Sequence, residues 1–323
     1  MAAGDTYSGQ GTTYQSPNYH GELFVVTPTE TPFLSMIGGL GGAKTGRSVN
    51  IEWQAIKRRT STANNSVKEG QPAPSATNQP RLNVQNILEV HQSAIEVSYT
   101  KQAAVGDFSG ANIAPEYDDV ILDELAIQTQ AELESMAVDI EKSFLSGTYH
   151  KPTDNTTARA TQGILGAIST NVFGNGGTAR ALSSDIVNAA LQGMFENGAK
   201  LPQDSTVLLV SPAQKVALTK AYTTAGYLNA PVRSNTVGGV SVDTVITDFG
   251  TFGVAVDRWM PAGEVAIVDV SVCYPWFLEI PDKGLLFVEE LARTGASRKF
   301  QLYGEVGLEY GAENFHGLIT DLS

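Results

Sequence analysis

The sequence predicts an α+β fold organised around an extended two-stranded hairpin and one long helix. Three observations carry this. Two strand-like runs, Ser48–Thr60 and Arg81–Thr100, flank a polar bridge, Ser61–Pro80. An uninterrupted helical pattern follows over Pro115–Gly147. The 32 glycines and the modest helical signal elsewhere make the remainder β-rich. The hairpin sets the central problem of the chain. A two-stranded ribbon is marginal in water by itself and needs another surface to lie on.

Taken in order, residues 1–26 are rich in Gly, Ser, Thr, Gln and Tyr and have little to bury, so they are expected to order only against a partner. Thr27-Pro28 and Thr31-Pro32 introduce a short apolar piece, Phe33–Ile37, that glycines 38, 39, 41 and 42 end. The first long run then alternates cleanly. Val49, Ile51, Trp53 and Ala55 share one face; Ser48, Asn50, Glu52 and Gln54 share the other. In the second run Leu82, Val84, Leu88 and Val90 share a parity that Ile95, Val97 and Tyr99 oppose, which predicts a bulge or bend near His91–Ala94. The bridge holds Asn64, Asn65, Gly70, Pro72, Pro74 and Pro80, residues suited to a loop. Unstructured connections of that length tend to be functional or mobile.

The helix carries its own signals. Pro115 fits the first helical position. Acidic residues crowd its first turns, as the helix dipole favours. Leu122, Leu125, Thr129, Leu133, Met136, Ile140 and Phe144 form one apolar stripe, and Gly147 provides a stop. Beyond it, Gln162–Ser169 is the best strand candidate in a loop-rich passage. A helix capped by Ser183 or Ser184 is expected to Gly198, a buried strand at Thr206–Val210, and a helix from Ser211-Pro212 to about Tyr222. Strands are expected at Val240–Thr247, Gly253–Trp259, Val265–Val272, Leu285–Leu291 and Lys299–Tyr310. In the last, Phe300, Leu302, Val306, Leu308 and Tyr310 face one way.

Charge separates the hairpin from the helix. Lys44 to Arg81 holds seven cations (Lys44, Arg47, Lys57, Arg58, Arg59, Lys68, Arg81) and two anions (Glu52, Glu69), a net of +5. The helix holds nine anions (Glu116, Asp118, Asp119, Asp123, Glu124, Glu132, Glu134, Asp139, Glu141) and one cation, Lys142, a net of −8. A basic arm and an acidic bar in one chain point to a subunit that grips its own copies. The candidate subunit-interface residues are therefore Lys57, Arg58, Arg59 and Lys68 on the arm, with Glu116, Asp118, Asp119, Asp123, Glu124 and Glu132 on the helix.

Composition excludes several classes. Cys273 is the only cysteine, so no intrachain disulfide forms. The N-terminus has no basic and apolar signal segment. No run of about 18 apolar residues predicts a membrane span. A net charge of −13 opposes nucleic-acid binding as the main role, because phosphate contacts need clustered Lys and Arg. Catalytic patterns are missing as well. His20, His91, His150 and His316 are scattered without metal-ligand spacing, and Cys273 lies in an apolar run without a nearby His. Carboxylate pairs such as Asp118-Asp119 and Glu289-Glu290 are adjacent rather than spaced for acid–base work. Gly38–Thr45 is one residue short of a phosphate loop, with Ala43 where the second glycine belongs. A phosphate loop runs from a strand into a helix, whereas Thr45 leads into a strand; a flexible hinge is expected instead. No enzyme activity, cofactor or metal is expected.

In this order the chain resembles the major capsid proteins of tailed bacteriophages with the Hong Kong 97-type fold. The stretches that carry the resemblance span nearly the whole chain. They are Thr31-Pro32-Phe33-Leu34-Ser35 with Ile37-Gly38; Leu208-Leu209-Val210-Ser211-Pro212-Ala213-Gln214-Lys215; Asp257-Arg258-Trp259-Met260-Pro261; Glu289-Glu290-Leu291-Ala292-Arg293-Thr294-Gly295; and Gln301-Leu302-Tyr303-Gly304-Glu305 running to Gly311. The resemblance implies an N-terminal arm over 1–45, an extended hairpin loop over 46–105, a peripheral domain with the spine helix over 106–165, an axial domain over 166–262 and return strands of the peripheral domain over 263–323. It implies hexamers and pentamers of this chain closing an icosahedral shell around double-stranded DNA, enclosed without sequence-specific binding, with each loop over a neighbour. The chain begins at Met1 without a charged helical stretch, so a separate scaffolding protein or none is expected, along with possible portal and decoration partners. Assembly is expected in a bacterial host's cytoplasm, and the mature location is the virion capsid. The alternatives are an encapsulin-type nanocompartment subunit and a soluble α+β enzyme.

Overall fold

The computed structural model describes residues 28–56, 65–76, 78–100, 124–154, 156–224, 235–237, 240–293 and 295–323. After a short helix α1 (Pro32–Met36) come strands β1 (Lys44–Gly46), β2 (Asn50–Ile56), β3 (Arg81–Ile87) and β4 (Glu89–Ser98), then the long helix α2 (Glu124–Ser146). A second half follows: α3 (Ile164–Ala167), β5 (Val172–Phe173), α4 (Ser184–Glu196), β6 (Thr206–Val210), α5 (Pro212–Thr224), β7 (Asn235–Val237), β8 (Val240–Thr247), β9 (Gly250–Val256) and β10 (Val265–Asp269). The chain ends with β11 (Tyr274–Leu278), β12 (Leu286–Glu290), β13 (Ser297–Glu309) and β14 (Gly317–Ile319).

These strands form two large sheets and the separate β2–β3 hairpin. The five-stranded sheet is built on β13. Along one side β13 pairs antiparallel with β4, from Ser297 opposite Ser98 to Val306 opposite Glu89. Along the other it pairs first with β12 and then with β11, which in turn carries β1 in parallel. Alternation explains what this sheet buries. Phe300, Leu302, Val306 and Leu308 of β13 and Ile95 and Val97 of β4 turn inward, against Met136, Ile140 and Phe144 of α2. The described part of α2 has 23 residues, about 34 Å at 1.5 Å per residue. It stops at Ser146, before Gly147. A Cβ at Gly163 would fall 2.6 Å from Gly147 N and from Leu145 O, so the return loop closes on the helix end only with glycine there.

The seven-stranded sheet has the order β5-β14-β10-β6-β9-β8-β7. Every residue of β6 and β10 is buried, and alternate residues of β6 serve two cores. Leu208 and Val210 pack with Leu191 and Met194 of α4; Val207 and Leu209 pack into the cluster shared with α2. Burial on both faces accounts for the unbroken apolar run Thr206–Val210. The expected cap of α4 is present: the Ser183 hydroxyl accepts from Ile186 N at 3.3 Å.

Several expectations are corrected. The phase change in the second long run lies at Leu88, not at His91–Ala94. Ile87 and Leu88 are buried in succession, and the chain passes there from the hairpin into the five-stranded sheet. Inward residues change from Val84 and Asn86 to Ile95 and Val97, and Val90 points out. Gly307 permits the crossing: a Cβ on it would meet Leu88 Cδ2 at 2.9 Å and Ile51 Cδ1 at 3.1 Å. Within 162–169 the chain forms the helix Ile164–Ala167 rather than a strand. The strand expected to reach Trp259 ends at Val256, because the Asp257 carboxylate accepts from Trp259 N at 2.8 Å and turns the chain. The next strand ends at Asp269, whose carboxylate accepts from Ser271 N at 3.0 Å and opens a 3₁₀ turn. Residues 263–323 supply strands to both large sheets: β10 and β14 join the seven-stranded sheet, while β11, β12 and β13 build the five-stranded one.

Candidate functional site

The hairpin root is fixed to the body by polar groups that are fully used. Asn86 is buried, and its Nδ2 donates to Leu308 O at 2.7 Å and to Gln162 O at 3.1 Å. Its Oδ1 accepts from Gln162 N at 2.8 Å and from Ile87 N at 2.9 Å. On β2 the Trp53 indole N–H donates to Gly311 O at 2.6 Å, and its ring meets Tyr310 edge-on with centroids 5.0 Å apart. Ile51, opposite Asn86, is buried.

Further out the same ribbon loses its support. Ala55 opposite Leu82 continues the face that begins with Ile51 and Trp53. Leu82 is 50% exposed, Ile56 58% and Val67, in the bridge, 68%. Short cross-strand bonds hold the register there, with Asn83 Nδ2 donating to the Glu52 carboxylate at 2.7 Å. The distal hairpin therefore presents apolar side chains on a registered but uncovered ribbon.

The predicted interface residues fall into three groups. Lys57, Arg58, Arg59, Glu116, Asp118, Asp119 and Asp123 lie outside the described residues. Lys68 is exposed on the bridge, and Glu124 opens the described part of α2. Glu132 is half-buried and its carboxylate accepts from the Ser93 hydroxyl of β4 in the same chain, so part of the acidic bar is used internally. The structure brings none of the described members of this set together. On the outer face Asp139 stands exposed, 3.9 Å from Lys142.

Glu141 requires a correction. One of the nine helix anions, it is completely buried rather than part of an exposed acidic bar, and Phe33 N and Leu34 N donate to its two oxygens at 2.8 and 2.7 Å. The sequence held a signal for this. Val138 and Leu145, three before and four after, are both buried and define a second apolar row through Glu141.

Chemistry elsewhere is structural. Lys44 Nζ lies 2.8 Å from the Glu309 carboxylate and 3.8 Å from the centre of the Tyr274 ring, and Thr45 continues into β1. The phosphate-loop lookalike thus spends its lysine on an ion pair and enters a strand. Cys273 is buried, and desolvation pushes its thiol pKa up. His316 is buried, its Nε2–H donating to Tyr310 O at 2.7 Å while Nδ1 accepts from Asp269 N at 3.3 Å; burial pulls its pKa down and keeps it neutral. Among the described residues no group of three or more His, Cys, Asp and Glu is placed to hold a metal ion. No described helix is long and apolar enough to cross a membrane.

Solved structures similar to this chain include capsid and encapsulin chains. The capsid protein of cyanophage A-1(L) aligns with a TM-score of 0.65 at 13% identity, covering 95% of this chain and 97% of the other. The capsid of a native GTA particle aligns with a TM-score of 0.59 at 15% identity over 100% of both chains. The SrpI encapsulin of Synechococcus elongatus PCC 7942 aligns with a TM-score of 0.59 at 12% identity, covering 96% of this chain and 93% of the other. These likenesses establish the fold. No curated protein matches the chain in sequence. The family model of the SU10 major capsid protein matches residues 6–323. A registered hairpin with an uncovered apolar face, on a body whose polar groups serve structure, is what a subunit completed by its neighbours requires, and the chain belongs to the SU10 major capsid protein family, with a Hong Kong 97-type α+β fold and a shell-forming role.

Proposed function

We propose that copies of this chain form hexamers and pentamers that close an icosahedral shell around double-stranded DNA in the cytoplasm of a bacterial host. The seven-stranded sheet is the axial domain, and the five-stranded sheet with α2 is the peripheral domain. Each hairpin lies across a neighbouring copy. Its cations at Lys57, Arg58, Arg59 and Lys68 then face the acidic side of the neighbour's α2, including Glu116, Asp118, Asp119, Asp123 and Glu124. The carrying observation is the hairpin itself. Its root is saturated with bonds to its own body, while Ile56 and Leu82 toward its open end are 58% and 50% exposed. The chain acts as a structural subunit without catalysis, cofactor or metal. DNA is enclosed by the shell and is not read, in keeping with the net charge of −13.

Negative-stain electron microscopy of the expressed chain, alone and with scaffolding, portal or decoration proteins encoded beside it, tests this directly. Closed shells holding nuclease-protected DNA are expected. A stable monomer under every condition would refute it. The likeness to the SrpI encapsulin supports a second reading, a nanocompartment shell. Particles that retain a protein cargo and no DNA would select it.

A further inference from the structure

The segment that leads into the body is fastened by a buried carboxyl pair. Helix α1 packs on both α2 and β8. Its first N–H groups have no partner within the helix. Glu141, more than a hundred residues later on α2, supplies both acceptors, at 2.8 Å to Phe33 N and 2.7 Å to Leu34 N. Within side-chain hydrogen-bond reach of it stands Asp257, also with no exposed surface, just past the end of β9. Asp257 Oδ1 accepts from Trp259 N at 2.8 Å. Its Oδ2 is buried and meets no donor among the described residues unless the Glu141 carboxyl carries a proton. Two adjacent carboxylates in an apolar core repel and are both desolvated, whereas one shared proton turns the repulsion into a hydrogen bond. The same turn places Trp259, whose indole N–H donates to Glu30 O at 3.0 Å.

We propose that Glu141 and Asp257 share one proton and act as a pH-gated latch that holds Glu30–Met36 against α2 and the end of β9. The other charged groups around it are exposed or already paired. Arg258 lies 3.6 Å from Glu30, Lys142 sits over the Trp259 ring at 4.4 Å and 3.9 Å from Asp139, and Asp243 of β8 pairs with Lys215 at 2.7 Å. Helix α1 itself contributes no titratable group. Burial, helped by the neighbouring Asp257 charge, pushes the Glu141 pKa up to about 9, and burial raises that of Asp257 as well. Because the folded value lies above the ordinary 4.5, the latch is fully made below that pH and is lost as pH rises through about 9. Alkali, not acid, opens it.

Hydrogen exchange followed by mass spectrometry on the full-length assembled chain, from pH 6 to 10 and corrected for intrinsic exchange, tests the latch. Protection at Phe33 and Leu34 should fall about tenfold for each pH unit above 9, while the amides of β6 stay protected. Asp257→Asn offers an N–H to Glu141 in place of the shared proton and should keep Phe33 and Leu34 protected to pH 10. Wild-type protection that stays flat to pH 10, or that falls together with β6, overturns the proposal. So does an Asp257→Asn curve that follows the wild type. If that variant does not fold, the wild-type titration decides alone.

Discussion

Strands β6 and β10 of the seven-stranded sheet and the β2–β3 hairpin all carry apolar side chains, yet only the two sheet strands finish their burial within the chain. In β6 and β10 every position is buried, because helices and a second core cover both faces. In the hairpin the apolar face is covered at Ile51 and Trp53 and open at Leu82, while Ile56 and Val67 stand uncovered beside it. The contrast is one of support rather than of composition. A central strand recovers its ordering cost from neighbours on both sides in its own chain, and a two-stranded ribbon outside both large sheets does so only at its root.

The largest effect should come from reversing that support. Leu208→Ala or Ile267→Ala, in the closed sheet, should cost about 2–5 kcal/mol and lower the melting temperature of the subunit itself. Leu82→Asp, on the open ribbon, should leave subunit stability within about 0.5 kcal/mol and abolish shells. Shells of normal yield from Leu82→Asp would show that the hairpin needs no partner, and the comparison would fail.

The root marks where the two regimes meet. Asn86→Ala strands the Leu308 and Gln162 backbone groups it now satisfies and should cost about 1–3 kcal/mol in denaturant unfolding. A neutral result would move the root into the open part of the ribbon.

Charge should act more weakly per contact. Single exposed pairs give about 0–1 kcal/mol, but repetition around a capsomer lets them set register and partner choice. Reversing Lys57, Arg58 and Arg59 together to Glu should misdirect assembly while circular dichroism of the subunit stays unchanged. Salt should weaken wild-type assembly, since screening acts over about 10 Å at 0.1 M. Normal shells from the triple variant would leave apolar contact as the whole of the hairpin's grip.

The smallest effect is expected at the phosphate-loop lookalike. Lys44→Ala removes a partly exposed ion pair to Glu309, which should cost under about 1 kcal/mol, leave particle yield unchanged and alter no nucleotide signal. Saturable ATP binding that disappears in this variant would overturn the structural role of Lys44 in β1.

Local periodicity made much of the architecture readable from the chain alone. The alternation of β2 and β13, the stripe of α2, the Ser183 cap and the buried run of β6 are all properties of neighbours in sequence, and each appears where its pattern placed it. The pairing of β2 with β3 as a hairpin of its own was legible for the same reason. What only the tertiary structure decided depends on contacts far apart in sequence. The break at Leu88 exists because β3 and β4 belong to different sheets, a choice made by β13 two hundred residues later. Strands β1 and β14, of three residues each, are too short to show a period and form because longer strands offer them an edge. Glu141 has the sequence context of an acidic surface, and it is buried because helix α1 and Asp257 arrive from distant segments to meet it. A helix records its own period, but which of its charged side chains meets another segment depends on where that segment packs, and that is settled only when the chain closes on itself.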